Sequence, residues 1–148
     1  MTYYNNLIKK LPYDKPFLFV DQIVEFKEGY IKGEYTFSKE AEFYKGHFKN
    51  NPVTPGVLLT ECAAQIGLVC YAILKLKEEK KQVDFAMTSI EMDFLKPHFP
   101  GEKVIVKAEE IYHRFQKLKM KVSVLNESND ILAKGQIAGM PIQYQNEK

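Results

Sequence analysis

The sequence predicts an α+β fold in which an antiparallel sheet curls around a single long, buried helix. Three observations carry this. A run from Val57 to Leu76 is apolar on nearly every side, so as a helix it must be enclosed rather than laid on a surface. Two strand-like segments precede it and four follow it, and three of those four are long and consecutive. Consecutive strands of that kind make an antiparallel meander, and a sheet that long buries the helix by wrapping it.

In chain order, residues 17–26 read FLFVDQIVEF, a mostly apolar run that is a strand or a strand entered through a turn. Glu28-Gly29 signals a turn, and residues 30–37 then alternate, with Ile31, Gly33, Tyr35 and Phe37 against Lys32, Glu34 and Thr36. Period two predicts a strand, and the two segments together a hairpin. Ser38 is placed to cap a short helical turn whose acidic start holds Glu40 and Glu42. Thr54 is the expected N-cap of the long helix, with Pro55 in its first position. Lys75, Lys77, Lys80 and Lys81 mark the cationic end. A run of this length also matches a membrane span, but Glu61 and Gln65 lie inside it and such groups are expensive in lipid. Strand-like segments follow at 83–94, 103–112, 118–125 and 131–138. Turns are expected at Pro100-Gly101, at His113-Arg114 and over 126–130.

No repeat, low-complexity tract or Gly/Ser linker divides the 148 residues, so residues 1–148 are expected to form one domain. Apolar residues make up 45% and charged residues 27%, which suits a folded globular chain. The net charge of +2 is too small for a nucleic-acid partner, which calls for a basic stripe. Arg114 is the only arginine, so bidentate recognition of phosphate or carboxylate has one candidate. Cys62 and Cys70, eight residues apart, would lie about 12 Å apart on a helix, too far for a disulfide. Both read as small buried hydrophobes in a reducing compartment. The start, MTYYNNLIKKLP, lacks the apolar core of a secretory signal, so a cytoplasmic location is expected. Three dispersed histidines and two thiols give no metal-ligand spacing, and no metal is expected.

Chemistry concentrates around the start of the long helix. His47 lies on the loop before it, whereas His98 sits between two prolines and His113 beside Arg114. A lone loop histidine is ordinarily solvated or structural, so His47 alone decides nothing. Glu61 changes the weighing, because a carboxylate on an apolar helix is costly to bury unless paired or protonated. Gln65, at i+4, is placed to pair with it. Apolar surroundings also raise a carboxyl pKa and make the group a proton donor near neutral pH. A neutral His and a protonated Glu are the pair that elimination of water needs. The backbone N–H groups at Gly56 and Val57, at the positive end of the helix, can receive a carbonyl oxygen as it gains charge. A plain helix cap explains the same residues.

The stretch GHFKNNPVTPGVLLTECAAQIG, Gly46 to Gly67, resembles the signature of the beta-hydroxyacyl-acyl carrier protein dehydratases, which reads roughly GHFPxxPVMPGVLxxEAxAQ. The likeness extends to Leu11-Pro12-Tyr13 with PFLFVD at 16–21, and to Phe94-Leu95-Lys96-Pro97 with Pro100-Gly101-Glu102. It implies a hot-dog fold and a homodimer with sites at the interface, often assembled into a trimer of dimers. It implies that His47 takes the C2 proton and that Glu61, from the other subunit, protonates the leaving hydroxyl. Gly56 would hold the thioester oxygen, Gln65 would orient the carboxylate, and the Val53 carbonyl would steady the imidazole. Related dehydratase/isomerases usually carry Asp at the Glu61 position, so Glu61 implies a dehydratase without isomerase activity.

The expected partner is acyl carrier protein, with the substrate on its phosphopantetheine arm and no cofactor. Lys96, Lys45, Lys49 and Arg114 are candidates for a basic docking rim, although an ordinary lysine-rich surface has the same composition. Lys49 replaces a usual Pro, Asn50 a common Gly, Thr54 a typical Met and Cys62 a usual Ala. These departures fit a dehydratase of pigment, polyene or other secondary acyl chains as readily as one of fatty-acid synthesis. Two rival readings remain: acyl-thioester hydrolysis on the same fold, and a non-catalytic acyl-carrier-binding subunit. Of the aromatic residues Phe43, Tyr44, Phe48, Phe85, Phe94 and Phe99, those lining an acyl tunnel are not legible.

Overall fold

The computed structural model describes residues 5–77 and 84–142. Six strands form one antiparallel sheet: β1 (Gln22–Lys27), β2 (Tyr30–Thr36), β3 (Phe85–Phe94), β4 (Lys103–Arg114), β5 (Lys117–Leu125) and β6 (Ile131–Pro141). Their order across the sheet is β1-β2-β4-β5-β6-β3. The expected hairpin and meander are both present, and the segment after the helix, β3, crosses to the far edge to pair with β6.

The helix Gly56–Leu76 runs along the concave face, with a wider π-helical stretch over Gln65–Cys70. It is long and apolar enough to cross a membrane, at a mean hydropathy of 1.9 in its most apolar window, yet 83% of that window is buried inside the molecule. It is a core helix. The sheet meets it most closely at its middle, where Ile66, Gly67 and Leu68 face β2, β4, β5 and β6. A Cβ at Gly67 would stand 2.9 Å from Ala108 Cβ and 3.2 Å from Val122 Cγ1, so a side chain there has no room. Cys62 and Cys70 are fully buried, and burial pushes both thiols well above their ordinary pKa.

Of the two readings of residues 17–26, the strand entered through a turn is the one found: β1 begins at Gln22, because the Phe19 N–H and the Phe17 carbonyl bond the Gln65 side chain instead of a neighbouring strand. Three expectations are corrected. Thr54 does not cap the helix: Pro55 holds the N-cap position, Gly56 is the first helical residue, and no side chain caps the turn. The short 3₁₀ turn Glu42–Lys45 starts after Ala41, while Ser38 Oγ accepts from the Glu40 N–H just ahead of it. His113 and Arg114 belong to β4, and the β4–β5 turn is Phe115–Gln116, both at positive φ as a tight hairpin requires. Neither residue is Gly or Asn, so the usual signal was missing. Asn126 does organise its turn, its Oδ1 accepting from the N–H groups of Ser128 and Asp130. Lys80, Lys81 and Val83 fall outside the described residues.

Strand β3 is an edge, and most of its residues are exposed, including Met87, Ile90 and Phe94. An apolar edge with one row of unpaired backbone groups is a template for another chain.

Gly67→Val tests the close approach. It should lower stability by about 3 kcal/mol through overpacking, read as a reduced denaturant midpoint at unchanged m.

Candidate active site

His47 sits on the loop between the Glu42–Lys45 turn and the helix, tied by two bonds to one residue. Its carbonyl accepts from the Val53 N–H at 2.9 Å, and its Nδ1 lies 2.9 Å from the Val53 carbonyl. A carbonyl only accepts, so Nδ1 carries a proton and Nε2 is the ring nitrogen left to act as a base. Phe48 stacks on the imidazole at a centroid distance of 4.3 Å and an interplanar angle of 24°.

The helix opens beside this ring. Leu58 and Leu59 both donate to the Pro55 carbonyl, which leaves the N–H groups of Gly56 and Val57 without helical partners. A Cβ at Gly56 would meet the Phe94 ring at 3.0 Å. Glycine here permits Phe94 to pack on the helix start and keeps the N–H approachable. Val57 is 75% exposed. His47, Phe48, Val53, Gly56, Leu59 and Phe94 share a cleft of about 400 Å³. Such a cleft offers a proton acceptor and the N–H of Gly56 to one bound carbonyl compound.

Glu61 is not in that cleft. Five residues at 100° each place it about 140° around the helix from Gly56, and among the described residues no hydrogen bond joins it to His47. Its carboxylate accepts from Gln65 Nε2 at 3.0 Å. Burial pushes its pKa above the ordinary range, and the Gln65 amide pulls the other way. Gln65 is fully buried and fully used, also donating to the Phe17 carbonyl and accepting from the Phe19 N–H. Cys62 adds a weaker bond from its Sγ to the Phe19 carbonyl. On this side of the helix a cavity of about 660 Å³ is lined by Phe17, Phe19, Tyr35, Phe37, Phe43 and Leu58. Of the six aromatics considered from sequence, Phe43 lines this cavity and Phe48 and Phe94 line the cleft, while Tyr44 is buried.

The basic candidates divide. Lys96 borders the His47 cleft and pairs with Asp130 at 3.5 Å; Lys45 pairs with Glu42, and Lys49 follows His47 by two residues. Arg114 lies over the Tyr112 ring at the other end of β5 from Lys96 and Asp130, about 27 Å along that strand. One chain does not bring it to the same rim. Sequence reasoning missed His98, which is wholly buried and bonded to Thr54 and Glu102. Its placement between prolines carried no sign of burial.

A family model described as the FabA-like domain matches residues 11–135. The chain belongs to this family. Among its relatives, the 3-hydroxyacyl-(acyl-carrier-protein) dehydratase FabZ of Geotalea uraniireducens is 36% identical over 111 residues, 74% of this chain and 77% of that one. The enzyme of the same name from Caldicellulosiruptor saccharolyticus is 38% identical over 107 residues, 72% and 75% of the two chains. Among solved structures, the dehydratase heterocomplex ApeI:P from Xenorhabdus doucetiae superposes at a TM-score of 0.76 and 12% identity, over 92% of this chain and 91% of that one. A hypothetical thioesterase with coenzyme A from Streptococcus pneumoniae superposes at 0.61 and 12%, over 84% and 87%. At such identities the likeness is one of fold, and this FabA-like domain is a hot dog: a curled antiparallel sheet around one helix.

Gln65→Leu separates the two tasks of that amide. Leaving the Phe17 and Phe19 backbone groups unpaired should cost about 2 to 4 kcal/mol of stability, measured by urea unfolding. Losing the donor that favours the charged carboxylate should move the Glu61 titration to higher pH, read by carboxyl ¹³C shifts.

Proposed function

We propose that the chain is a 3-hydroxyacyl-acyl carrier protein dehydratase, giving the trans-2-enoyl thioester in fatty-acid or related acyl-chain synthesis. The observation that carries this is the pairing of an Nδ1-protonated His47 with Gly56 in one cleft, at a helix start whose Gly56 and Val57 N–H groups are uncapped. The thioester oxygen is bound by those N–H groups, which stabilise the charge that reaches it as C2 loses its proton. His47 Nε2 takes that proton. The C2–H electron pair becomes the C2–C3 double bond, the C3–O bond breaks, and the hydroxyl leaves as water with a proton from Glu61. Only protons move, so no redox or metal cofactor takes part.

Because Glu61 faces away from His47 in its own chain, the reading places Glu61 of a second copy opposite His47, with homodimers as the working unit and a trimer of dimers as a further assembly. The exposed β3 edge and the exposed Val57 support such pairing. Val53 is the acceptor that fixes the His47 tautomer, and Gln65 orients Glu61. Lys96 borders the cleft and suits an acidic carrier protein; Lys45 and Lys49 share a neighbouring surface hollow, and Arg114 would reach the rim only from another copy. The reaction is placed in the cytoplasm. The aromatic-lined cavity walled by Phe17, Phe19 and Leu58 suits an apolar acyl chain, without selecting among fatty-acid, pigment or polyene chains.

Crotonoyl thioester on carrier protein provides the assay, through loss of enoyl absorbance on hydration. The protein should be active, and His47→Ala and Glu61→Gln should each lower kcat by about 10² to 10⁴. Release of free thiol would mean a thioesterase, and carrier binding without turnover a non-catalytic subunit; either result refutes the proposal. Lys96→Glu should raise KM for the carrier-bound substrate about five- to tenfold while sparing a pantetheine thioester.

A further inference from the structure

The floor of the His47 cleft holds two buried polar residues, Thr54 and His98, 3% and 0% exposed. They are links in a chain of hydrogen bonds. Tyr44, on the Glu42–Lys45 turn, bonds its hydroxyl to Thr54 Oγ1; Thr54 Oγ1 bonds His98 Nδ1 at 2.6 Å; His98 Nε2 bonds the Glu102 carbonyl at 2.9 Å. The carbonyl only accepts, so Nε2 carries a proton. Burial keeps the ring uncharged and holds its pKa below the ordinary value, which leaves Nδ1 to accept. Thr54 therefore gives its one hydroxyl proton to His98, and Tyr44 donates to Thr54. The Thr54 N–H also donates to the His98 carbonyl at 2.8 Å, so main chain and side chain clamp the same pair. The Phe37 ring closes on the imidazole edge at 5.2 Å. Both His98 nitrogens are engaged, so the residue has no group left for a substrate.

What the clamp holds is the corner between base and helix. Thr54 stands between Val53, whose carbonyl sets the His47 tautomer, and Pro55, which precedes the Gly56 amide. Any displacement of Thr54 shifts both together. We propose that His98, acting through Thr54, is a positioning residue that keeps the His47 ring and the Gly56 N–H in register for removal of the C2 proton. The inference rests on the roles given above to His47 and Gly56. This chain locks the corner by hydrogen bonding.

Thr54→Val keeps the shape and deletes the hydroxyl, Thr54→Ser keeps the hydroxyl, and Tyr44→Phe removes the outer donor. Each is compared with the parent by kcat, KM and the ¹⁵N shifts of the His47 ring. Thr54→Val should lower kcat about tenfold or more with KM within about twofold, since misplacement of reacting groups acts on the chemical step. Its His47 Nδ1 resonance should move, and Thr54→Ser should restore most of both. Unchanged kcat and unchanged His47 shifts in folded Thr54→Val overturn the proposal, as does a serine variant no better than valine. If the valine variant does not fold, Tyr44→Phe decides: a fall of about threefold in kcat at constant KM supports the clamp, and no change refutes it. A parent protein without dehydratase activity defeats the functional reading instead, and the His47 shifts then judge the clamp alone.

Discussion

Enclosing a 21-residue apolar helix in a single sheet leaves very little of that helix available for chemistry. Its middle is pressed against β2, β4, β5 and β6, with Gly67 too close to Ala108 and Val122 for any side chain. Only its two ends and the half-buried Glu61 reach the surface. Every polar group on the buried part must then be satisfied locally, and Gln65 does this with three bonds at once. The same bonds hold residues 17–19 out of the sheet and against the helix. A packing constraint thus decides where the polar chemistry sits and how firmly it is held.

The helix also separates what it positions. Its first turn presents Gly56 to the cleft that holds His47, and its next turn carries Glu61 to the side where Gln65 holds Phe17 and Phe19, two walls of the aromatic cavity. The two halves differ electrostatically. The His47 side is built from backbone dipoles and an imidazole whose Nδ1 proton is held by Val53. The Glu61 side works through desolvation, which favours the protonated acid. An elimination needs one of each, and a pair of chains can supply both to one substrate.

Much of this was legible in the sequence because it depends on patterns with a physical period. The apolar run, the alternation over 30–37 and the i, i+4 spacing of Glu61 and Gln65 predicted the helix, the hairpin and the 3.0 Å bond that joins them. The failures share a different cause. Thr54 reads as an N-cap by residue type, yet its hydroxyl is drawn away by His98, 44 residues distant. The start of β1, open between two readings in the sequence, is set by a glutamine side chain that claims the Phe17 and Phe19 backbone, 46 to 48 residues away. Long-range bonds from single side chains leave no local pattern. The Phe115–Gln116 turn was missed because positive φ is imposed there by pairing of β4 with β5, not by glycine.

The central claim is that His47 and Glu61 act together only across two chains, and mixed dimers test it most directly. His47→Ala and Glu61→Gln chains, each inactive alone, are combined by co-expression or by unfolding and refolding together. A mixed dimer then contains one site with both substitutions and one site with neither. Random pairing makes half the dimers mixed, so activity should return to about a quarter of the parent level. No recovery, with mixed dimers shown to be present, would mean that both groups act within one chain.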